Sequence, residues 1–138
     1  MITLSNIAPA FSFILANGLI PGTGDYKPHE FGNANLVAAG TPFSLRFERD
    51  RGQVFVEIGG KNSRWYKLEY VLEFVDHSIS QEELGTPPDP AILSKLLEQH
   101  WLVVTKLFND PNQVAILDDF AARKSAVLLS AIFGKPEI

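Results

Sequence analysis

A chain of 138 residues with 46% hydrophobic and 20% charged side chains has the composition of a folded globular protein, at a length suited to one domain. The absence of cysteine excludes disulfides, thiol nucleophiles, iron–sulfur ligation and thiolate zinc sites. The formal net charge of −4 disfavours nucleic acid, whose phosphates an acidic surface repels. No apolar run reaches the roughly 18 residues that a membrane span needs, so we expect no membrane association. The sequence thus predicts one domain over residues 1–138, in a reducing compartment such as the cytoplasm.

The N-terminal segment predicts a helix over residues 6–17, followed by a loop. Four apolar residues in this segment recur at helical spacing and are expected to face the core. They are Ile7, Phe11, Ile14 and Leu15. Pro9 is tolerable in the first turn of a helix, where the backbone N–H groups have no partner within the helix. Residues 21–35 are rich in Gly, Pro and Asn, which is typical of a loop.

The clearest local pattern is that of a β-hairpin. Apolar and polar residues alternate over residues 43–48 and again over residues 54–58, which is the period of a half-buried strand. Residues 49–52 lie between them and end on a glycine that can adopt a positive φ, as hairpin turns require. Residues 35–39 and 64–66 are candidates for further strands. The sequence therefore predicts a small antiparallel sheet of three or four strands with this hairpin at its centre.

The C-terminal half is predicted to be rich in helix. A helix over residues 67–76 is followed by a long helix that starts after Asp89 and reaches residue 108. A third helix starts after Asp110 and ends near Gly134. Each aspartate can accept a hydrogen bond from the first turn as an N-cap, and a proline follows each at the first helical position. Together with the N-terminal helix, about four helices pack against the sheet, so the predicted fold class is α+β.

Lys124 interrupts the apolar face of the last helix. The residues expected to face inward are Ile116, Leu117, Phe120, Val127, Leu128 and Ala131. Lys124 falls between Phe120 and Leu128 on that face. Its side chain can extend to solvent along the aliphatic stem, pair with a buried carboxylate, or mark a bend of the helix near Arg123. The bend is the interpretation that we favour.

The helix over residues 67–76 carries three stripes of side chains. The core stripe consists of Leu68, Val71, Leu72 and Val75. The acidic stripe consists of Glu69, Glu73 and Asp76. Tyr70 and Phe74 lie opposite the core stripe, where a surface helix is normally polar. Either the helix is sandwiched between the sheet and another helix, which we favour, or the two aromatic side chains face a partner.

The three histidines carry no recognised catalytic or metal-binding motif. His100 lies among apolar residues without a second ligand one turn away, which is typical of a hydrogen-bonded core histidine. His77 ends a helix and His29 lies in a loop, and each has a carboxylate nearby in the sequence. A small hydrolase or transferase that uses His29 or His77 is therefore one alternative function. Otherwise the sequence predicts no catalytic residue, no metal site and no cofactor.

Charge is unevenly distributed along the chain. Residues 46–67 contain six basic and three acidic residues, a net charge of +3. Residues 68–122 contain two basic and ten acidic residues, a net charge of −8. An acidic region of this kind steers a basic partner by long-range attraction. The competing interpretation is that these are ordinary solvated helix faces.

Two segments carry a resemblance to a known group of proteins. The segments SLRFERDRGQVFVEIG, over residues 44–59, and WYKLEYVLEFV, over residues 65–75, are similar to small bacterial proteins. Some of those proteins are assigned as immunity proteins of contact-dependent or polymorphic toxin systems. The resemblance implies a non-enzymatic inhibitor that binds and neutralises one cognate toxin, and it implies no particular binding residue.

The acidic stripe and the resemblance favour the same class of function, a protein-binding module with a protein partner such as a basic toxin domain. The predicted contact patch consists of Glu69, Tyr70, Glu73, Phe74 and Asp76. Besides the enzyme that uses His29 or His77, a homo-oligomeric structural protein that pairs through wide apolar helix faces is a second alternative. The chain is accordingly expected to be a monomer or a homodimer.

Overall fold

The fold is organised around an antiparallel β-sheet with helices packed against it. The structure is a computed structural model that describes residues 2–22, 24–27, 29–30, 32–61 and 63–133, with side chains up to residue 130. Its strands are β1 (Ile20–Pro21), β2 (Asp25–Lys27), β3 (Asn33–Ala39), β4 (Phe43–Asp50), β5 (Gln53–Gly60) and β6 (Tyr66–Lys67). Its α-helices are α1 (Leu4–Ile7), α2 (Phe13–Ala16), α3 (Leu68–Val75), α4 (Gln81–Leu84), α5 (Pro90–Gln99), α6 (Trp101–Phe108) and α7 (Pro111–Phe133). The α+β class predicted from the sequence is confirmed.

The sheet has six strands in the described part of the chain, so the predicted sheet of three or four strands is wrong. The strand order is β1-β3-β4-β5-β6, and β2 also pairs with β3. Both β1 and β2 involve the segment 21–35 that was predicted to be a loop. Strands of two or three residues are too short to show an alternating pattern. They form here because an unpaired edge of β3 would leave backbone N–H and C=O groups without hydrogen-bond partners.

The predicted hairpin is confirmed as the centre of the sheet. Strands β4 and β5 pair along their full lengths. Arg51 and Gly52 connect them with φ values of 53° and 83°, the backbone of a type I′ turn. The Arg51 N–H donates to the Asn33 side-chain oxygen at 2.9 Å. This hydrogen bond supports a conformation that is uncommon for a residue with a side chain.

The single N-terminal helix predicted from the sequence is wrong. Instead, α1 is followed by a 3₁₀ turn (Pro9–Phe11) and by α2. The proline that begins this turn has no N–H to donate and forces the preceding residue out of the helical region. Ala8 accordingly has φ −149° and ψ 68°. The break changes which residues face the core, so Ile14 is fully buried whereas Leu15, expected to be buried, is 51% exposed.

One hydrophobic core joins the sheet to the helices. Strand β4 contributes Phe43, Leu45 and Phe47 from its inward face. Phe11 meets Phe47 edge to face with 5.1 Å between the ring centroids, an arrangement that aromatic rings prefer. Within the described ranges, no helix combines the length and the apolar content that crossing a bilayer requires.

Helix α3 lies between the sheet and the C-terminal helices, as the favoured sandwich interpretation predicted. It contacts β5 and β6 as well as α5, α6 and α7. Tyr70 is only 6% exposed, and the ring of Phe74 lies 5.4 Å from that of Phe120 on α7. The two aromatic residues opposite the core stripe are thus explained by packing within the chain.

The C-terminal helices differ from the prediction in two respects. The long helix that was expected to reach residue 108 is divided into α5 and α6, because the backbone of His100 leaves the helical region with φ −104° and ψ 14°. Helix α7 starts as predicted, with Asp110 accepting a hydrogen bond from a first-turn N–H at 3.0 Å. Its predicted end near Gly134 lies outside the described residues.

The second half of α7 is more exposed than predicted. Leu117 and Ala121, in its first half, are buried against the core. Val127 and Leu128 were expected to face inward, but they are 68% and 41% exposed. The helix extends beyond the elements that could cover these residues, so its apolar side chains line the surface instead.

Two adjacent residues test the altered orientation of the N-terminal segment. Ile14→Ala should lower the free energy of unfolding by about 2–5 kcal/mol, because it removes fully buried methyl groups and leaves a cavity. Leu15→Ala removes a side chain of the same size from an exposed position and should cost less than about 1 kcal/mol. Urea unfolding of the two variants measures the difference, and equal losses would contradict the observed break at the proline.

Candidate functional site

The five residues predicted as a contact patch lie on α3 or directly after it, but they do not share one exposed surface. Tyr70 is buried and Phe74 is half-buried against α7. Glu73 and Asp76 each form an ion pair with another element of the chain. Glu69 is half-buried and lines a groove together with Glu73. Of the three acidic residues in the predicted patch, Glu73 and Asp76 each form an internal ion pair, and Glu69 and Glu73 line the groove.

The ion pair between Glu73 and Lys124 fastens α7 to α3. Lys124 Nζ lies 3.0 Å from Glu73 Oε2, and the two side chains are 30% and 12% exposed. The same ammonium group lies 5.9 Å from the ring centroid of Phe120. Pairing with a buried carboxylate, one of the three explanations that the sequence left open, is therefore the one that the structure shows for Lys124. Helix α7 runs as one element through this position, and the ion pair accounts for the lysine without a break in the helix.

Asp76 and His100 connect the end of α3 to the junction between α5 and α6. His100 Nε2 lies 3.0 Å from Asp76 Oδ2, and Nδ1 lies 2.8 Å from the Leu96 carbonyl oxygen. Both ring nitrogens therefore lie within hydrogen-bonding distance of an oxygen atom. The hydroxyl and the N–H of Ser78 also donate to Asp76 Oδ1, at 2.6 and 3.0 Å. These bonds from Ser78, and then the bond from His100, lower the pKa of Asp76 from 3.8 to about 2.

The lowered pKa of Asp76 predicts a pH dependence of stability. A carboxyl group whose pKa is lower in the folded than in the unfolded chain stabilises the fold above its unfolded pKa. That contribution is lost as the pH falls through the folded pKa. Asp76→Asn should therefore lower the free energy of unfolding at pH 7, and the difference from wild type should shrink between pH 3.8 and about pH 2.

Urea unfolding at several pH values measures this difference, and Asp119→Asn is the matched control. The Asp119 carboxylate is exposed and lies 3.2 Å from Arg123 on the same helix. Its substitution should change the free energy of unfolding by less than about 0.5 kcal/mol at pH 7. An Asp76→Asn difference that stayed constant down to pH 2 would show that its carboxylate does not act through these hydrogen bonds.

A groove of about 720 Å³ runs beside α3. It is bounded by the β4–β5 hairpin, by α3, by the loop after α4 and by the second half of α7. We call it the acidic groove and define it by its lining residues. They are Glu48, Asp50, Phe55, Val56, Glu57, Lys67, Glu69, Tyr70, Glu73, Gln81, Leu84, Gly85, Thr86, Pro87, Pro88, Lys124, Val127 and Leu128.

The acidic groove carries more negative charge than its own cations neutralise. Five carboxylates and two lysines line it. Two of the carboxylates form ion pairs, Glu57 with Arg46 at 2.6 Å and Glu73 with Lys124 at 3.0 Å. Among the residues that the structure describes, none forms an ion pair with Glu48, Asp50 or Glu69. The groove therefore has three carboxylates that are available to a cationic ligand.

Glu69 is the carboxylate that the groove perturbs most clearly. Burial raises the pKa of its carboxyl group above the ordinary value of 4.5, and the neighbouring Glu57 and Glu73 act in the same direction, although Lys67 partly opposes them. The sequence predicted Glu69 as part of a contact patch, with an ordinary solvated helix face as the competing interpretation. A cation in the groove would favour the ionised form of Glu69, and groups with shifted pKa values in clefts are candidates for functional sites.

Apolar side chains lie next to these carboxylates. Phe55 faces Glu48 across the hairpin and is 38% exposed. Val127 and Leu128 line the groove from α7, and Pro87 lines it from the loop after α4. Exposed apolar groups bordered by charge are typical of surfaces that bind other proteins.

Sequence reasoning missed most of the acidic groove because its lining residues come from four separate segments. It assigned Glu48 to the solvent face of a strand and Val127 and Leu128 to the core. One signal was present in the hairpin, where Phe55 interrupts an otherwise polar face. An aromatic residue at an outward position indicates either packing from a second element or a binding surface.

The remaining candidates from the sequence lie outside the acidic groove. His29 and His77 are exposed, and neither forms a hydrogen bond or ion pair with a carboxylate in the described part of the chain. In the same ranges, no group of three or more His, Asp or Glu residues is arranged to hold a metal ion.

Comparison with known proteins finds no match for this chain. The chain matches no protein-family model, no curated protein and no solved structure. The resemblance of residues 44–59 and 65–75 to toxin-immunity proteins therefore stays a prediction.

Proposed function

We propose that this chain is a protein-binding module whose acidic groove receives a basic, amphipathic segment of a partner protein. The observation that carries the proposal is the combination of Glu48, Asp50 and Glu69, carboxylates without an ion pair in the described residues, with apolar walls in one groove. Lys or Arg side chains of the partner neutralise the carboxylates, and its apolar side chains cover Phe55 and Leu128. The chain acts by binding and not by catalysis.

Electrostatics favours this occupant over an acidic or a purely apolar one. An acidic segment would add to an existing excess of negative charge, which is repulsive at short range. A purely apolar segment would exclude water from Glu48, Asp50 and Glu69 without supplying a counter-charge, and unpaired carboxylates are costly to desolvate. Only a segment with both basic and apolar side chains neutralises the carboxylates and also covers the apolar walls.

One partner of this chemistry is a basic toxin domain, as the sequence resemblance implied. Both segments that carry the resemblance contribute to the groove: residues 44–59 supply Glu48, Asp50 and Phe55, and residues 65–75 supply Glu69. We therefore propose an immunity protein that neutralises a cognate bacterial toxin. We place its action in the cytoplasm, a reducing compartment that suits a chain without cysteine.

Calorimetric titration with a synthetic peptide tests the groove. The probe carries Leu and Lys at helical spacing, so that it presents one apolar and one basic face. The double variant Glu48→Lys/Asp50→Lys should bind it at least about tenfold more weakly than the wild type, because attraction becomes repulsion. Leu128→Ser should also weaken binding, by about threefold or more, because it removes part of the apolar wall.

The matched control is the double variant Asp25→Lys/Glu98→Lys. Both residues are exposed and neither lines the groove, and the change in net charge is identical. Its affinity should stay within about threefold of wild type. If both double variants lost affinity equally, the attraction would depend on net charge and the groove proposal would be wrong. A homodimer in light scattering that Leu128→Ser dissociated would also contradict it, because a second copy would then cover the apolar wall.

A further inference from the structure

A second cavity, of about 670 Å³, lies where the last strands meet the beginning of α7. We call it the Tyr66 pocket. Its lining comes from the β3–β4 loop, the end of β5, the β5–β6 loop, the start of β6, the end of α6 and the first turns of α7. It shares no residue with the acidic groove. Its volume falls within the range of about 300–1,000 Å³ that is typical of small-molecule sites.

The walls of the Tyr66 pocket are largely apolar and are held in place by the core. Phe108 lines the pocket, and its ring centroid lies 5.7 Å from that of Phe43 and 6.5 Å from that of Tyr66. Pro111 and Val114 continue the apolar wall from α7. A wall of packed aromatic and aliphatic side chains suits an apolar ligand group, because binding then requires little ordering of the protein.

Two opposite charges lie side by side in the pocket. The Tyr66 hydroxyl donates to Asp118 Oδ1 at 3.0 Å, and Arg64 Nε lies 3.9 Å from the same oxygen. Burial, together with the hydrogen bond and the charge of Asp118, raises the pKa of Tyr66 to about 12. Tyr66 therefore stays a hydrogen-bond donor over the physiological pH range and holds the Asp118 carboxylate in a fixed position.

Both charged groups retain unused hydrogen-bonding capacity. The described residues supply no partner for Asp118 Oδ2 or for the two terminal nitrogens of the Arg64 guanidinium group. The two side chains are 41% and 82% exposed. Lys61 also lines the pocket and has no ion pair among the described residues. A ligand entering the pocket thus finds one free carboxylate oxygen beside free cationic donors.

We propose that the Tyr66 pocket binds a small zwitterion with an apolar side chain, of the α-amino acid class. Its carboxylate pairs with the Arg64 guanidinium group, its ammonium group with Asp118 Oδ2, and its side chain packs against Phe108 and Val114. An α-amino acid carries its opposite charges on one carbon atom, which matches an acidic and a basic group 3.9 Å apart. A simple carboxylate would make no contact with Asp118 Oδ2 and would be repelled by that carboxylate, and a simple amine would be repelled by Arg64 and Lys61.

Three related probes test the contributions of the ligand's two charged groups one at a time. L-phenylalanine carries both, 3-phenylpropanoate lacks the ammonium group, and 2-phenylethylamine lacks the carboxylate. We expect L-phenylalanine to bind with a Kd on the order of 0.1–1 mM, as a ligand of this size allows. Each truncated probe should bind at least about tenfold more weakly, because it lacks one of the two charge-assisted contacts. Calorimetry or the chemical shifts of backbone amides around Tyr66 measures these affinities.

Substitutions of residues that line the Tyr66 pocket test whether L-phenylalanine binds there. Arg64→Ala and Asp118→Asn should each weaken L-phenylalanine binding about tenfold, and Val114→Trp should abolish it by filling the cavity. Arg123→Ala, a change of an exposed arginine on α7 outside the pocket, should leave it unchanged. Arg64 is largely exposed, so its variant tests binding without a large loss of packing. Circular dichroism verifies that each variant is folded.

Three results would overturn the proposal. The first is 3-phenylpropanoate binding as tightly as L-phenylalanine, which would assign the pocket to simple anions. The second is unchanged binding in a folded Val114→Trp variant, and the third is no chemical-shift change with any probe. Because the pocket and the acidic groove share no residue, failure here is distinguishable from failure of the peptide titration.

Discussion

The acidic groove depends on one contact, the packing of α7 across α3. It is made by the Glu73–Lys124 ion pair at 3.0 Å and by the rings of Phe74 and Phe120 at 5.4 Å. A carboxylate that is only 12% exposed is costly to bury without a counter-charge, so the lysine is needed where a core residue would otherwise be expected. By fixing α7 at this point, the ion pair determines where the helix leaves the core. Val127 and Leu128, one turn further on, then form a wall of the acidic groove.

Local patterns in the sequence predicted the parts of the fold that depend on local chemistry. The hairpin follows from alternation and a glycine turn, and the starts of α5 and α7 follow from aspartate caps before proline. The short strands β1 and β2 could not be predicted, because they form only when β3 offers an unpaired edge. The change of orientation at Pro9 was in principle predictable, since the residue before a proline avoids the helical region.

The candidate site was less predictable than the fold because it depends on long-range contacts. The sequence placed Glu69 and Glu73 on one helix face, and both do line the acidic groove. It could not show that Glu73 is neutralised by Lys124, which lies far along the chain, whereas Glu69 is not. The other two groove carboxylates without an ion pair, Glu48 and Asp50, reach the same groove through the register of the hairpin with its neighbours. Whether a carboxylate of the groove is free or paired depends on its burial and its neighbours, which the residue type alone does not reveal.

A double-mutant cycle at Glu73 and Lys124 tests this account most directly. The account predicts that Lys124→Met lowers the free energy of unfolding by about 2 kcal/mol, because it leaves a largely buried carboxylate unpaired. Adding Glu73→Leu should recover most of that loss, giving a coupling energy of about 1–3 kcal/mol. The same cycle at the exposed pair of Asp119 and Arg123 should give less than about 0.5 kcal/mol. A coupling between Glu73 and Lys124 no larger than that of the exposed pair would contradict the account, since the ion pair would then not be what fixes this part of α7 beside the groove.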